Sequence, residues 1–301
     1  MYDPVIHTID LNFRGTKGAI GAYLIPHSDG CILIETGPGS TINTLITGLN
    51  NYGYKTEDVT DVLLTHIHLD HAGAAGWWAK NGAQIHVHEN GAPHLLNPER
   101  LLASASRLYG NMMDSLWGEF LPVEEDRLSI MRDQEMIRIS NLSVFAMDAP
   151  GHANHHLIYM IGDACFSGDI GGIRLSPSHY LTLPMPPPDF HLEKWRSSII
   201  NLKQLNPKRI IPTHFGIYQD ADWHIQAVLD ELDEIEAWME ATLPINLSID
   251  DLRQRFIGFE HSRVTKLHDE STNADAHQIA NPSFMSADGI QRYWNKYRNP
   301  E

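Results

Sequence analysis

Cysteine is nearly absent from this chain: 301 residues hold two, Cys31 in GCILIE and Cys165 in DACFSGD. Both sit in apolar runs that read as strands, so each is expected to be a buried free thiol. A structural zinc held by thiolates needs several cysteines at short spacing, which two isolated ones exclude. Any metal must therefore be held by histidine and carboxylate. Basic residues are also scarce, 22 against 38 acidic ones, for a net charge of -16. That surface repels phosphate backbones and anionic lipid, so neither nucleic acid nor a membrane is an expected partner. No run of about 18 uninterrupted apolar residues occurs to span a bilayer, and the start, MYDPVIHTIDLNF, lacks the basic segment and apolar stretch of an export signal. The expected location is the cytoplasm. What the chain does have is 42% hydrophobic residues, enough for one large domain with an appendage, and 18 histidines.

The first half alternates strand and helix patterns. Apolar runs at Val5–Leu11, Ala19–Pro26 and Cys31–Glu35, separated by Gly, Ser and Asp, predict an antiparallel start to a sheet. Ile42, Leu45, Ile46 and Leu49 then recur at helical spacing, with Ser40 or Thr41 available as a cap. DVLLTH reads as a strand, HAGAAGWWAK as a helix packed closely through its Ala and Gly turns, and AQIHVH as the next strand. Residues 90–127 interrupt this rhythm with a mostly helical insertion, either a satellite helical pair or a pocket wall. Strand patterns return in MIRIS, LSVFAMDAP, HHLIYMIG and ACFSGD. A Pro-rich loop between Ile173 and Phe190, the helix HLEKWRSSIINLKQL and the strand KRIIPTH follow. The expected body, residues 1–220, is an α/β sandwich of two sheets between helices.

Residues 221–301 read as a helical C-terminal extension. Ile225, Val228, Leu229, Leu232, Ile235 and Met239 form one helical face, and Asp230, Glu231, Asp233, Glu234 and Glu240 an opposite one expected to be solvated. SIDDLRQRFIGF and SADGIQRYWNKYR predict two further helices. They either pack on the body or make a homodimer contact.

The densest chemistry lies in THIHLDHAG, residues 65–73. On an extended segment His66 and His68 point the same way, whereas Asp70 and His71 enter the next helix and turn elsewhere, so one segment can serve two adjacent metal ions. Two ions need more ligands than that segment supplies. The remaining candidates are His152 in DAPGHANHH, Asp169 in FSGDIGG and His214 in IIPTHFG, each at the end of a predicted strand beside glycine.

In their order and local context these motifs, THIHLDHAG, PGHANHH, SGDIGG and PTHFG, resemble those of the metallo-β-lactamase superfamily across residues 5–220. The resemblance implies the four-layer αβ/βα sandwich with a dinuclear site on its rim. On that pattern His66, His68 and His152 hold the first ion, Asp70, His71 and His214 the second, and Asp169 bridges them. The arrangement is similar to glyoxalase II (hydroxyacylglutathione hydrolase) and lactonase-like hydrolases more than to β-lactamases with cysteine at the bridging position. Oxygen reductases of the fold carry Glu where this chain has His68.

The implied chemistry is hydrolysis of a small thioester, ester or lactone by a metal-bridging hydroxide, with Asp70 as catalytic proton carrier. Two divalent ions are expected, zinc first, with iron and manganese binding the same donor types. The alternative is a sulfur (persulfide) dioxygenase of the same fold, using one iron held by His66, His152 and Asp169. Glu35, in ILIETGPG, stands where the family commonly has Asp and is a candidate partner for a metal ligand. His155 and His156 are candidates to orient His152, or plain structural histidines; His86, His88, His94, His179 and His191 are read as surface or structural. Trp117, Tyr180 and Phe190 are candidate pocket residues, or packing.

Overall fold

The computed structural model describes residues 3–175, 177–267 and 274–299. The first half builds one sheet and its helices: β1 (His7–Asp10), β2 (Gly21–His27), β3 (Gly30–Ile34), α1 (Ile42–Asn51), β4 (Val59–Leu63), α2 (Leu69–Ala72), α3 (Ala75–Lys80) and β5 (Gln84–His88), then α4 (Ala92–Leu96), α5 (Glu99–Tyr109), α6 (Met113–Trp117) and β6 (Leu128–Met131). Its strands run in sequence order, antiparallel from β1 to β3 and parallel from β3 to β6. The second half adds β7 (Glu135–Ile139), β8 (Leu142–Asp148), β9 (Leu157–Ile161), β10 (Ala164–Phe166), the ribbon β11 (Ile173–Arg174) with β12 (Leu181–Thr182), α7 (Leu192–Gln204) and β13 (Arg209–Ile211). The second sheet has the order β13, β10, β9, β8, β7, with β10 and β13 parallel.

The alternation of side chains explains why two sheets stack. On β2 and β3, Tyr23, Ile25, Ile32 and Ile34 join Val144, Ala146, Tyr159 and Phe166 of the second sheet in one core between the sheets. Their neighbours Ala22, Leu24, Cys31 and Leu33 face the other way, into a core with Leu45 and Leu49 of α1 and Trp78 of α3. A strand apolar on both faces must be covered on both, so each sheet carries helices on its outer side. The result is the expected four-layer sandwich. Both cysteines are buried free thiols, and α3 does pack through its small residues: a Cβ on Gly76 would lie 2.0 Å from the Leu121 carbonyl oxygen.

Three expectations are corrected. The strand patterns return earlier than the expected MIRIS: β6 follows the insertion directly, its four residues being too few to show a period. Neither Ser40 nor Thr41 caps α1: their hydroxyls donate instead to the Leu116 and Pro38 carbonyls, at 2.6 and 2.9 Å. Beyond the second sheet lie α8 (Ala221–Thr242), α9 (Ile249–Leu267), α10 (Ala274–Ala280) and α11 (Ser283–Tyr293). Here Glu231 is buried rather than solvated, because α9 lays Arg263 over it and the two side chains pair. Among the described residues no helix is long and apolar enough to cross a membrane.

Candidate metal centre

All seven predicted metal ligands come together. Each follows the end of a strand: His66 and His68 after β4, His152 after β8, Asp169 after β10 and His214 after β13, with Asp70 and His71 on α2. The segment after β4 is pinned from the second sheet, where the Tyr159 hydroxyl donates to Leu64 O at 2.9 Å and Leu157 N–H to Thr65 O at 2.7 Å. Two groups of ligand atoms result. One comprises His66, His68, His152 and Asp169; the other comprises Asp70, His71 and His214.

In the first group, His68 Nδ1 lies 3.0 Å from His66 Nε2 and 2.8 Å from His152 Nε2. The outward nitrogens decide the tautomers. His152 Nδ1 donates to the Pro184 carbonyl at 2.7 Å. His66 Nδ1 lies 3.1 Å from the Thr65 hydroxyl, which spends its own proton on Glu35 Oε1. Both Nε2 atoms therefore turn lone pairs inward, toward a His68 nitrogen that can offer a proton to one of them at most. Three converging imidazoles in this state fit a cation. His71 Nε2 and His214 Nε2 of the second group, with Asp169 Oδ1 of the first beside them, are buried with no hydrogen-bond partner among the described residues. Buried polar atoms are rarely left so, and here they share one focus. His214 Nδ1 donates to Ala19 O at 2.7 Å, which likewise aims its Nε2 inward.

Asp169 joins the two groups. Its Oδ2 is 3.3 Å from His152 Nε2, and its Oδ1 is 3.2 Å from His71 Nε2 and 3.4 Å from His214 Nε2. Asp70 Oδ2 faces the second group, 3.5 Å from His214 Nε2 and 3.7 Å from His71 Nε2. Burial and the neighbouring imidazoles push the His68 pKa down to about 3, and burial also lowers His66 and His152. These histidines are thus neutral, the state that binds metal. Burial opposes the charge on Asp70, but His71 and His214 prevail and hold its pKa down to about 2.

The supporting residues were partly legible. Glu35 is fully buried and its Oε1 lies 3.3 Å from His71 Nδ1, the place of a ligand's partner. His156 does not bond His152; its Nε2 accepts the Asp169 and Ile170 backbone N–H groups at 3.1 and 3.4 Å, so it fixes the turn that carries Asp169. No sequence motif flagged that. Nor did any flag Trp195, whose indole N–H donates to Ile170 O at 2.8 Å while its ring meets His152 edge-on. His86 and His88 are structural, paired with Asp61 and Asp148.

A cavity of about 210 Å³ opens over the centre, with His68, Asp70, His152 and Asp169 on its floor. Trp117 and the prolines from 184 to 188 line it, as the insertion and the Pro-rich loop suggested. Tyr180 and Phe190 do not: Tyr180 packs on His277, and Phe190 on Trp195 and Tyr293. The unforeseen contribution is residues 279–282 and Met285, which close one side from the C-terminal helices.

A family model described as the metallo-beta-lactamase superfamily matches residues 15–214. The chain belongs to this superfamily. Its relatives include a metallo-beta-lactamase fold-containing protein, ST1585, of Sulfurisphaera tokodaii, 23% identical over 160 residues that span 52% of this chain and 60% of that protein. The lactamase-like protein aptB of Emericella nidulans is 29% identical over 216 residues, spanning 70% of this chain and 54% of its own. The chain thus matches little more than half of either relative's length. Among solved structures, the archaeal superfamily protein ST1585 overlays with a TM-score of 0.67 at 16% identity, covering 96% of this chain and 99% of that one. A metallo-beta-lactamase family protein from Thermus thermophilus, TTHA1429, gives 0.61 at 19% identity, covering 97% and 93%. At such identities the likeness is one of fold, and it extends past residue 214 into the C-terminal helices.

Proposed function

We propose that this superfamily member is a dinuclear metal-dependent hydrolase acting on a small thioester, ester or lactone. The observation that carries this reading is the pair of ligand groups facing the two oxygens of one carboxylate, Asp169. His66, His68 and His152 would hold one divalent cation, and Asp70, His71 and His214 the other. Such a pair, zinc by first preference, lowers the pKa of water toward neutrality and polarises a carbonyl oxygen.

The remaining work falls to side chains. Asp70 lies on the cavity floor with Oδ2 turned to the histidines, which leaves Oδ1 to accept a proton and return it to the leaving group. His156 and Trp195 hold the Asp169 turn, and Pro184 O holds the His152 ring, so the ligands are positioned before substrate arrives. The substrate is a small molecule, because the cavity is confined. A one-iron dioxygenase would leave Asp70, His71 and His214 gathered to no purpose, which favours hydrolysis. The test is metal analysis of purified protein joined to a turnover screen of thioesters, lactones, aryl esters and phosphodiesters. Two metals per chain with ester or thioester turnover is expected; one iron with oxygen uptake on a persulfide would replace this reading by the dioxygenase.

A further inference from the structure

We propose that the substrate is an acyl compound whose acyl part is an apolar chain of about six to eight carbons ending in a carboxylate, and that Arg14 binds that carboxylate. This rests on the hydrolytic reading above and names the substrate class of the same site.

Apart from Ser104 and Asn281, the uncharged cavity walls are apolar. Leu101, Leu108, Trp117, Ile279, Pro282 and Met285 supply them from α5, α6 and the C-terminal helices. At the rim, Leu108 leaves 46% of its surface exposed, an apolar edge left open among the described residues. An apolar cavity of about 150 Å³ holds a benzene ring, so by proportion about 210 Å³ takes roughly eight carbons. Polar ester substrates would leave these walls unused.

One feature of the lining breaks the pattern. Arg14 is the one lysine or arginine among the lining residues, in a chain of net charge -16. Among the described residues its guanidinium has no ion-pair or hydrogen-bond partner. It is exposed, and it stands on a fixed turn. Asp10 accepts the N–H groups of Asn12 and Gly18, both at 2.9 Å, while Gly15 and Thr16 N–H bond back to Asn12 O and Phe13 O, each at 2.9 Å. Phe13, beside Arg14, is buried and stacked on Trp117 with ring centroids 5.6 Å apart. Within the turn Asn12 and Arg14 hold φ of 48° and 55°, in the left-handed region where a side chain raises the energy by about 1 kcal/mol or more. A loop that merely needed a solvated residue would be more stable with glycine at position 14. An arginine kept there, unpaired, over an apolar cavity is placed to meet an anion entering with an apolar body. A carboxylate fits better than a phosphate, since one guanidinium matches its single charge and its two oxygens.

The experiment compares aryl or thiol esters of octanedioate, carrying the free second carboxylate, with those of octanoate, using the metal-loaded full chain. Affinities of octanedioate and octanoate themselves are measured by calorimetry, which needs no turnover. The carboxylated compound is expected to lead by about tenfold in both kcat/KM and affinity, the lower range for an exposed charge-assisted contact. Arg14→Gln should collapse that ratio toward one, and Arg14→Lys should restore part of it. Activity in an acyl series from two to twelve carbons should peak near eight. Equal handling of the pair by the wild-type chain, or a ratio unchanged in Arg14→Gln, overturns the proposal while leaving hydrolysis standing. Failure to cleave any ester or thioester, with octanedioate still preferred in binding, would instead overturn the hydrolytic reading and with it the acyl assignment.

Discussion

Gly289 on α11 is far in sequence from every ligand, yet replacing it with alanine should damage the metal centre. An added Cβ would lie 1.9 Å from Met185 O, against about 3.5 Å for an ordinary non-bonded contact, so helix and loop must part by about 1.6 Å. The loop is not free to yield elsewhere. Asn281 donates to Leu183 O at 3.3 Å and Met185 N–H donates to the Ser286 hydroxyl at 3.3 Å, clamping it between α10 and α11. Between those clamps, Pro184 O holds His152 Nδ1 at 2.7 Å. A shift above 1 Å breaks or reorients that bond. Loss of a ligand's outer partner lowers metal affinity by about 10- to 100-fold, and a displacement of this size costs about 10² in turnover. Overpacking itself costs about 1–3 kcal/mol. With about 2.1 cal/mol/K of unfolding entropy per residue over 301 residues, that lowers Tm by about 2–5 °C. Chelator-competition titration, kcat/KM and calorimetry on Gly289→Ala measure the three effects. A lowered Tm with wild-type metal affinity and turnover would refute the link from α11 through the loop to His152.

On the proposed dinuclear reading, Asp70→Asn should keep two metals and lower turnover by about 10² to 10⁴, with a smaller loss for aryl leaving groups that need no proton; an equal defect across leaving groups would reduce Asp70 to a positioning role. His68→Ala and Asp169→Ala should each lose bound metal and activity while near-UV and far-UV circular dichroism stay native, since the cores on both sides of each sheet do not depend on the ions; full metal content in Asp169→Ala would remove it from the bridging position. Asp220 pairs bidentately with buried Arg174 at 2.9 Å, and although burial opposes its charge, the Arg174 hydrogen bonds and charge hold its pKa below the usual carboxylate value. The folded pKa is the depressed one, so this stabilisation is present above about pH 4 and fades as pH falls through the lower folded value. Urea unfolding should find Asp220→Asn less stable at pH 7, with the gap closing below about pH 4; a gap that widens in acid would contradict the sign.

Much of the candidate centre was legible because its residues carry chemistry in short motifs. His66, His68, Asp70 and His71 occupy one segment, and each distant candidate ligand stands within two residues of glycine at the end of an apolar run. Strand periodicity placed those runs in sheets, and a strand end is where a sheet presents side chains at its rim. What the motifs could not carry was the partner of each ligand. His156 looked like a candidate to orient His152, whereas it bonds the Asp169 turn, because that choice depends on how β9 and β10 sit beside each other.

The sequence by itself supplied the candidate ligands, through motifs that resemble those of the superfamily, the alternation of strands and helices that builds the sandwich, and the exclusion of thiolate metal sites, because these rest on residue type, motif order and local period. Only the tertiary structure decided which surfaces face the ligands. The burial of Glu231 under Arg263, the place of Arg14 over the cavity and the clamp of α10 and α11 on the loop of Pro184 all join residues far apart in the chain. Periodicity states which face of an element is apolar but not what that face meets. Packing of the C-terminal helices against the rim answers that question, and it is there that the cavity over the candidate metal centre takes its shape.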